Sequence, residues 1–303
     1  MLRNRFGYIL KLTRPIFLLG GVILYLLGAG AALADGIDLN MTRLITGQLL
    51  VTSVQLMTHY SNEYYDLDTD RINHARTWFS GGSGVLVSGA LALAFCRRAM
   101  LFAAGAALVM LVIAGLQVTA VFFIGALALA LAWSYSGPPL KLAGSGAGEL
   151  SASIVVTLLV PVTGYVMQSG GPVGQNLLVI CLPLFLIHYA MLIAFQIPDI
   201  PADRAAGKRT LAVRIGLERA AFLHNLILML ALMSTAVLIL ARWPGSQLTW
   251  LALPLGIWQA FSIRRLLNVP KQRYLWLTMG AIGLFGFSAA LWLAGLIIQW
   301  NWI

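Results

Sequence analysis

SNEYYDLDTD, residues 61–70, puts Glu63, Asp66, Asp68 and Asp70 into ten residues of a chain that is only 10% charged. The apolar run that leads into it, 44–61, is long enough to approach a bilayer span. Carboxylates beside hydrocarbon are costly and are retained where they do something. The stretch therefore reads as the polar end of a membrane helix, and the rest of the chain must supply the partners for its acids.

The surrounding composition agrees. Of 303 residues, 60% are hydrophobic, more than a soluble domain of this length can bury. Nine apolar segments are long enough to cross a bilayer: 16–34, 44–61, 100–117, 119–134, 149–168, 176–197, 220–241, 248–263 and 275–299. The expected fold is an all-α integral membrane protein, one domain over 1–303, with nine transmembrane helices around a central cavity. Only Gln117 and Thr119 mark the turn between the third and fourth spans. The shorter run Val85–Cys96, opening on Gly81-Gly82-Ser83-Gly84, reads as an interfacial or re-entrant segment. The basic N-terminus followed by 16–34 imitates a secretory signal, but the apolar run is too long for one and reads as an uncleaved first span. Cys96 and Cys181 lie in apolar runs and form no CxxC or disulfide pattern.

Charge placement sets the sides. With the N-terminus in the cytoplasm, only Arg43 and Arg242 of the 20 Lys and Arg fall outside; Lys271 and Arg273 join the cytoplasmic set. The net charge of +10 thus marks one membrane face, and nucleic-acid binding is not needed to explain it. Of the ten acids, only Asp35 and Asp38 are external. The groups capable of chemistry gather on the cytoplasmic side, which is where the site is expected to face, in the cell membrane.

Two clusters stand out. Asn62, Asp66 and Asp70 recur every four residues and share a helix face, while Asp68 and Glu63 point elsewhere. Asp199 and Asp203 repeat the spacing after Gln196, followed by Gly207-Lys208-Arg209-Thr210. One such pair is an ordinary solvated helix end. Two on the same membrane side, with nearby bases, suit a diphosphate bridged by Mg²⁺, which takes one or two carboxylates plus phosphate oxygens. A third patch, Ser134-Tyr135-Ser136-Gly137-Pro138-Pro139-Leu140-Lys141, lies on the same face; Tyr135 and Lys141 are its cavity candidates.

These motifs, with Arg14-Pro15 at the first span, resemble the UbiA superfamily of intramembrane prenyltransferases, and the likeness covers essentially the whole chain. Within it, the run from Asp199 to Gly216 looks most like the dihydroxynaphthoate prenyltransferases of menaquinone synthesis, although Gln196 stands where those usually carry Asn. The resemblance implies a polyprenyl diphosphate donor drawn from membrane lipid and an aromatic acceptor. It implies catalytic and Mg²⁺-holding roles for Asp66, Asp70, Asp199 and Asp203, with Asn62 assisting. Arg71, Lys141, Lys208, Arg209 and Tyr135 would bind diphosphate. His188, Gln196 and Asp68 would belong to the acceptor site, and Asp68 or Glu63 could serve as its base. His59 and Gln55 precede Asn62 at a spacing that could line the same cavity. Other acceptors fit the same motifs: 4-hydroxybenzoate, homogentisate, chlorophyllide, haem or a lipid alcohol. A transporter would place its acids near the midplane, often with an inverted repeat, and a phosphatidyl transferase would carry a different Asp-rich pattern, absent here.

Overall fold

A computed structural model describes residues 2–265 and 272–300; Lys271 and the side chains of Leu2, Arg3, Asn4, Gln272, Arg273 and Trp300 lie outside the description. No strand occurs among the described residues. A basic helix α1 (Leu2–Thr13) is followed by α2 (Pro15–Ala34), α3 (Met41–Tyr65), the short α4 (Leu67–Ile72), α5 (Leu93–Gln117) and α6 (Thr119–Ser136). Then come α7 (Gly148–Ile154), a π-helical turn (Val155–Leu159) and α8 (Val160–Ser169), which run on as one rod. α9 (Gln175–Gln196), α10 (Ile200–Ala205), α11 (Leu211–Ile215), α12 (Leu217–Leu240), α13 (Leu253–Arg264) and α14 (Gln272–Trp300) complete the order.

Local chemistry explains the boundaries. Arg14 takes a left-handed conformation (φ 51°) and Pro15 opens α2, where its missing N–H costs nothing. The Asn40 side chain accepts from Arg43 N at 3.0 Å and so caps α3. Val118, at φ −145° and ψ 102°, separates α5 from α6, at the turn expected from Gln117 and Thr119.

Each of the nine expected segments is helical, and seven helices are long and apolar enough to cross a membrane. The two that fall short do so for visible reasons. α3 carries Arg43 and Glu63 and a run of Thr, Gln and Ser. α13 has only 12 residues and leans on a 3₁₀ turn, Ser246–Ala252. The segment expected to be interfacial or re-entrant, Val85–Cys96, forms no spanning helix of its own: residues 84–90 are tight turns closed by Ser88 N→Gly84 O (3.0 Å) and Ala90 N→Val85 O (3.1 Å), and Leu93 already begins α5. Val85, Leu86 and Leu91 are buried in the core.

The outer helix faces expose large apolar side chains, Phe102 and Leu116 on α5 and Leu240 on α12 among them, each more than 80% accessible. Such a surface suits lipid and not water, which makes this an integral membrane protein. Inside, α2 packs on α8, α3 on α5, and α9 on α12 and α14. At the α2–α8 crossing, a Cβ on Gly28 would strike the Pro161 carbonyl and one on Gly164 the Tyr25 carbonyl. Small residues there let the backbones touch. Between α2, α3, α6, the α7–α8 rod, α9 and α14 lies a cavity.

Candidate active site

The cavity has two chambers. The larger, about 470 Å³, is apolar and lies along α2, α3, α6, α9 and α14. The smaller, about 240 Å³, holds the acids. Phe17, His59, Phe79, Tyr135, His188 and Met191 line both and form a collar between them.

The first acid cluster survives the end of α3. Asp66 leaves regular helix geometry only slightly (φ −95°, ψ 3°), and its N–H still reaches Asn62 O at 3.0 Å. Asp70 N reaches Asp66 O at 2.9 Å, so the four-residue stripe passes unbroken into α4. Asn62 Nδ2 donates to Asp66 Oδ2 (2.6 Å) and to Ser136 Oγ (3.1 Å). On the other side, Asp199 caps α10 and Asp203 N reaches its carbonyl at 2.8 Å. All four aspartates and Asn62 line the small chamber.

Two side chains join the halves. Asn73 Nδ2 donates to Asp199 Oδ1 at 2.6 Å. Lys208 Nζ pairs with Asp66 Oδ1 at 2.8 Å and stands 3.9 Å from Asp203 Oδ1. One ammonium among four carboxylates leaves negative charge in excess. Burial, reinforced by Glu63 and Asp66, pushes Asp70 up to about 7. Burial, then Asp203 and Asp70, pushes Asp199 up to about 7 against the pull of its Asn73 hydrogen bond. Burial also raises Asp203. Lys208 is held above its ordinary value, because Asp66, Asp203 and Asp70 together outweigh its burial.

Such a set invites a divalent cation. Among the described residues no three His, Cys, Asp or Glu side chains converge to close a metal site unaided. Mg²⁺ binds through one or two carboxylates and completes its shell with water and phosphate oxygens. The donor set, all hard oxygen, fits as well.

Not every expected residue reaches this chamber. Arg71 pairs instead with Asp68 at 2.9 Å, their side chains 60% and 93% exposed; three residues apart on α4, both project outward. Lys141, at φ 46°, is exposed, and so is Arg209, whose carbonyl accepts from Arg214 Nε. None of these four lines either chamber, so the expected roles of Arg71, Lys141 and Arg209 with diphosphate, and of Asp68 with acceptor, have no geometric support. Lys208 and Tyr135 do lie at the site. Gln196 lines it too, but its amide is committed: Nε2 donates to Glu149, and Oε1 accepts from Ala212 N (3.0 Å), which fastens α11. His188 is in the collar, with Nδ1 2.9 Å from Ser153 Oγ and its ring edge-on to Phe285.

Glu63, a candidate base, is buried and fully engaged. It pairs with Arg14 (2.5 Å) and accepts from Ser83 N (2.5 Å) and Ser83 Oγ (2.7 Å). This pins loop 73–84 over the site. Arg76 holds the same loop through Gly81 O and Asp70 O, each at 2.5 Å. Gly82 (φ +74°) lies so close that a Cβ would strike the Asp70 carboxylate. Asn73, Arg76, Ser83 and Ser136 were not expected at the site. Asn73, three residues beyond Asp70, extends the acidic motif; the others carry no local signal.

The UbiA prenyltransferase family model matches residues 22–279. A 1,4-dihydroxy-2-naphthoate octaprenyltransferase from Mycobacterium tuberculosis (strain ATCC 25618 / H37Rv) is 32% identical over 217 residues, 71% of this chain and 70% of that protein. Another of the same name from Bacillus subtilis (strain 168) is 24% identical over 221 residues, 71% and 68% of the two chains. A solved UbiA homologue from Archaeoglobus fulgidus, bound to GPP and Mg²⁺, shares the fold with a TM-score of 0.69, at 19% identity over 97% of this chain and 99% of that one.

Proposed function

The chain belongs to the UbiA prenyltransferase family, and from that premise we propose that it moves a polyprenyl group from its diphosphate to a hydroxylated aromatic acceptor of the naphthoate class, in menaquinone-type quinone synthesis. It is a prenyl-transferring enzyme; the donor and the acceptor are the proposal. One observation carries it: two carboxylate pairs from distant parts of the chain meet at a polar mouth that opens into an apolar chamber. The names of the two curated relatives support the acceptor, and the GPP and Mg²⁺ of the Archaeoglobus neighbour support the donor.

The residues divide the work. The apolar chamber takes the prenyl tail and keeps water from the reacting carbon. Asp66, Asp70, Asp199 and Asp203, with Asn62, would hold Mg²⁺, which supplies electrophilic stabilisation of the departing diphosphate. Lys208 adds a fixed positive charge beside the same oxygens. Asn73 keeps Asp199 turned towards the first cluster. The collar, lined by Phe17, Phe79 and Tyr135, would seat an aromatic acceptor next to the reacting end of the tail.

The same reading has the chain cross the cell membrane nine times, with its N-terminus and the polar mouth in the cytoplasm. The charge asymmetry supports this, and no nucleic acid takes part. Purified protein with Mg²⁺, labelled prenyl diphosphate and a panel of aromatic acceptors tests the proposal. Label should pass to a hydroxynaphthoate in preference to 4-hydroxybenzoate or homogentisate. Transfer only to a non-aromatic alcohol would refute the acceptor class.

A further inference from the structure

Attack by a hydroxylated ring is faster when the hydroxyl gives up its proton, so a base should stand where the acceptor sits. Neither acid suggested by the sequence can serve. Asp68 is on the outer surface with Arg71, and both oxygens of Glu63 are taken by Arg14 and Ser83. The four aspartates of the mouth face one another and Lys208.

We propose that His59 is that base, an inference resting on the aromatic-acceptor reading above. His59 lies on α3, about one turn before Asn62. Its Nδ1 is 2.9 Å from the backbone carbonyl of Thr13. A carbonyl can only accept, so Nδ1 carries the hydrogen and the lone pair is on Nε2. Thr13 ends α1, where the left-handed turn at Arg14 cuts the helix and frees its last carbonyls. The break between α1 and α2 thereby fixes the tautomer of a residue 46 positions away. Nε2 has no hydrogen-bond partner among the described residues, and the ring lines both chambers, edge-on to Phe17 at 6.0 Å.

His188, the other collar histidine, has the opposite polarity. Its Nδ1 meets Ser153 Oγ, whose proton has no other acceptor among the described residues. Ser153 therefore donates to Nδ1, and the ring hydrogen of His188 lies on Nε2. His188 can donate to an acceptor oxygen but not take its proton; His59 can take it.

The step balances as follows. The acceptor hydroxyl passes its proton to Nε2, giving imidazolium and a phenolate-type oxygen. The ring carbon made nucleophilic bonds to carbon 1 of the prenyl group as the carbon–oxygen bond to diphosphate breaks, and the electron pair leaves with the diphosphate. The dienone then loses the attacked carbon's proton to the mouth while its oxygen regains a proton from the imidazolium. His59 ends neutral, and one proton leaves with the diphosphate.

His59→Gln keeps a donor for the Thr13 carbonyl and removes the basic nitrogen, leaving only a weakly basic amide oxygen. Transfer is measured with hydroxyaromatic acceptors of graded hydroxyl acidity, and donor affinity is measured on the same preparation. The variant should bind donor normally and lose on the order of 10²-fold in kcat with weakly acidic acceptors. The loss should shrink steadily as the hydroxyl becomes more acidic. An equal loss across the series, or none, overturns the role of His59 while leaving the prenyl-transfer reading intact. No transfer by the wild-type protein to any aromatic acceptor overturns that reading, and the inference with it. His59→Asn is the second variant if the glutamine form does not bind donor.

Discussion

At the scale of single residues, neighbouring acids divide sharply by what they face. Asp66 and Asp68 are two positions apart, yet one is paired with Lys208 in the mouth and the other is 93% exposed beside Arg71. An exposed pair of this kind contributes little to stability or to a site it does not face. Asp68→Ala and Arg71→Ala should therefore leave transfer within about twofold of wild type and stability within roughly 0.5 kcal/mol; a large loss in either would place them in the site after all. The helical spacing made the working stripe legible, since Asp68 falls off the face of Asn62, Asp66 and Asp70. It could not reveal Asn73 as a bridge to Asp199, because that hydrogen bond spans 126 positions. The mouth also has a pH signature. Asp70 and Asp199 rise from 3.8 to about 7 in the folded chain. Between roughly pH 4 and 7 the folded state then holds more protons than the unfolded state, so stability without metal falls as pH rises through that window. Metal binding needs the same carboxylates deprotonated. Raising pH from 5 to 8 should lower Tm without Mg²⁺, and Mg²⁺ should raise Tm more at pH 8 than at pH 5; the opposite order would contradict the assignment.

At the scale of elements, hydropathy located the helices and misjudged what joins them. All nine apolar segments are helical. α5 begins at Leu93 and not near 100 because Arg97 and Arg98 end the apolar run while the helix continues through them. Loop 73–91 was unreadable for a different reason: its fold is dictated from outside, by Glu63 through Ser83 and by the Asp70 backbone through Arg76. Within it, Gly82 permits close approach to the Asp70 carboxylate. Glu63 is the keystone, a buried carboxylate whose removal would strand the Arg14 guanidinium. Glu63→Ala should cost roughly 3 kcal/mol, on the order of 10 °C in Tm. Glu63→Gln, which keeps an acceptor for Ser83, should cost less. A fully stable Glu63→Ala protein would mean that the loop is held by something else.

At the scale of the molecule, charge and apolarity divide the labour. The lipid-facing surface is apolar, the four site aspartates collect in one small chamber, and the wide apolar chamber adjoins it. The one-sided Lys and Arg support the proposed orientation, and thiol labelling tests it, since the native Cys96 and Cys181 are buried. Asp38→Cys in intact cells should react with a membrane-impermeant reagent, whereas Ala206→Cys should react only after permeabilisation; the reverse pattern would invert the topology. The central claim is that two sequence-distant acid clusters form a single cation-dependent diphosphate site. Its most direct measurement is Mg²⁺-dependent binding of a labelled prenyl diphosphate to wild type, Asp66→Ala and Asp199→Ala, each checked for folding by Tm. Binding should be strong in wild type, require Mg²⁺, and fall by at least about 10-fold in each variant alone. Undiminished, Mg²⁺-dependent binding in either folded variant would contradict a site shared between the two clusters.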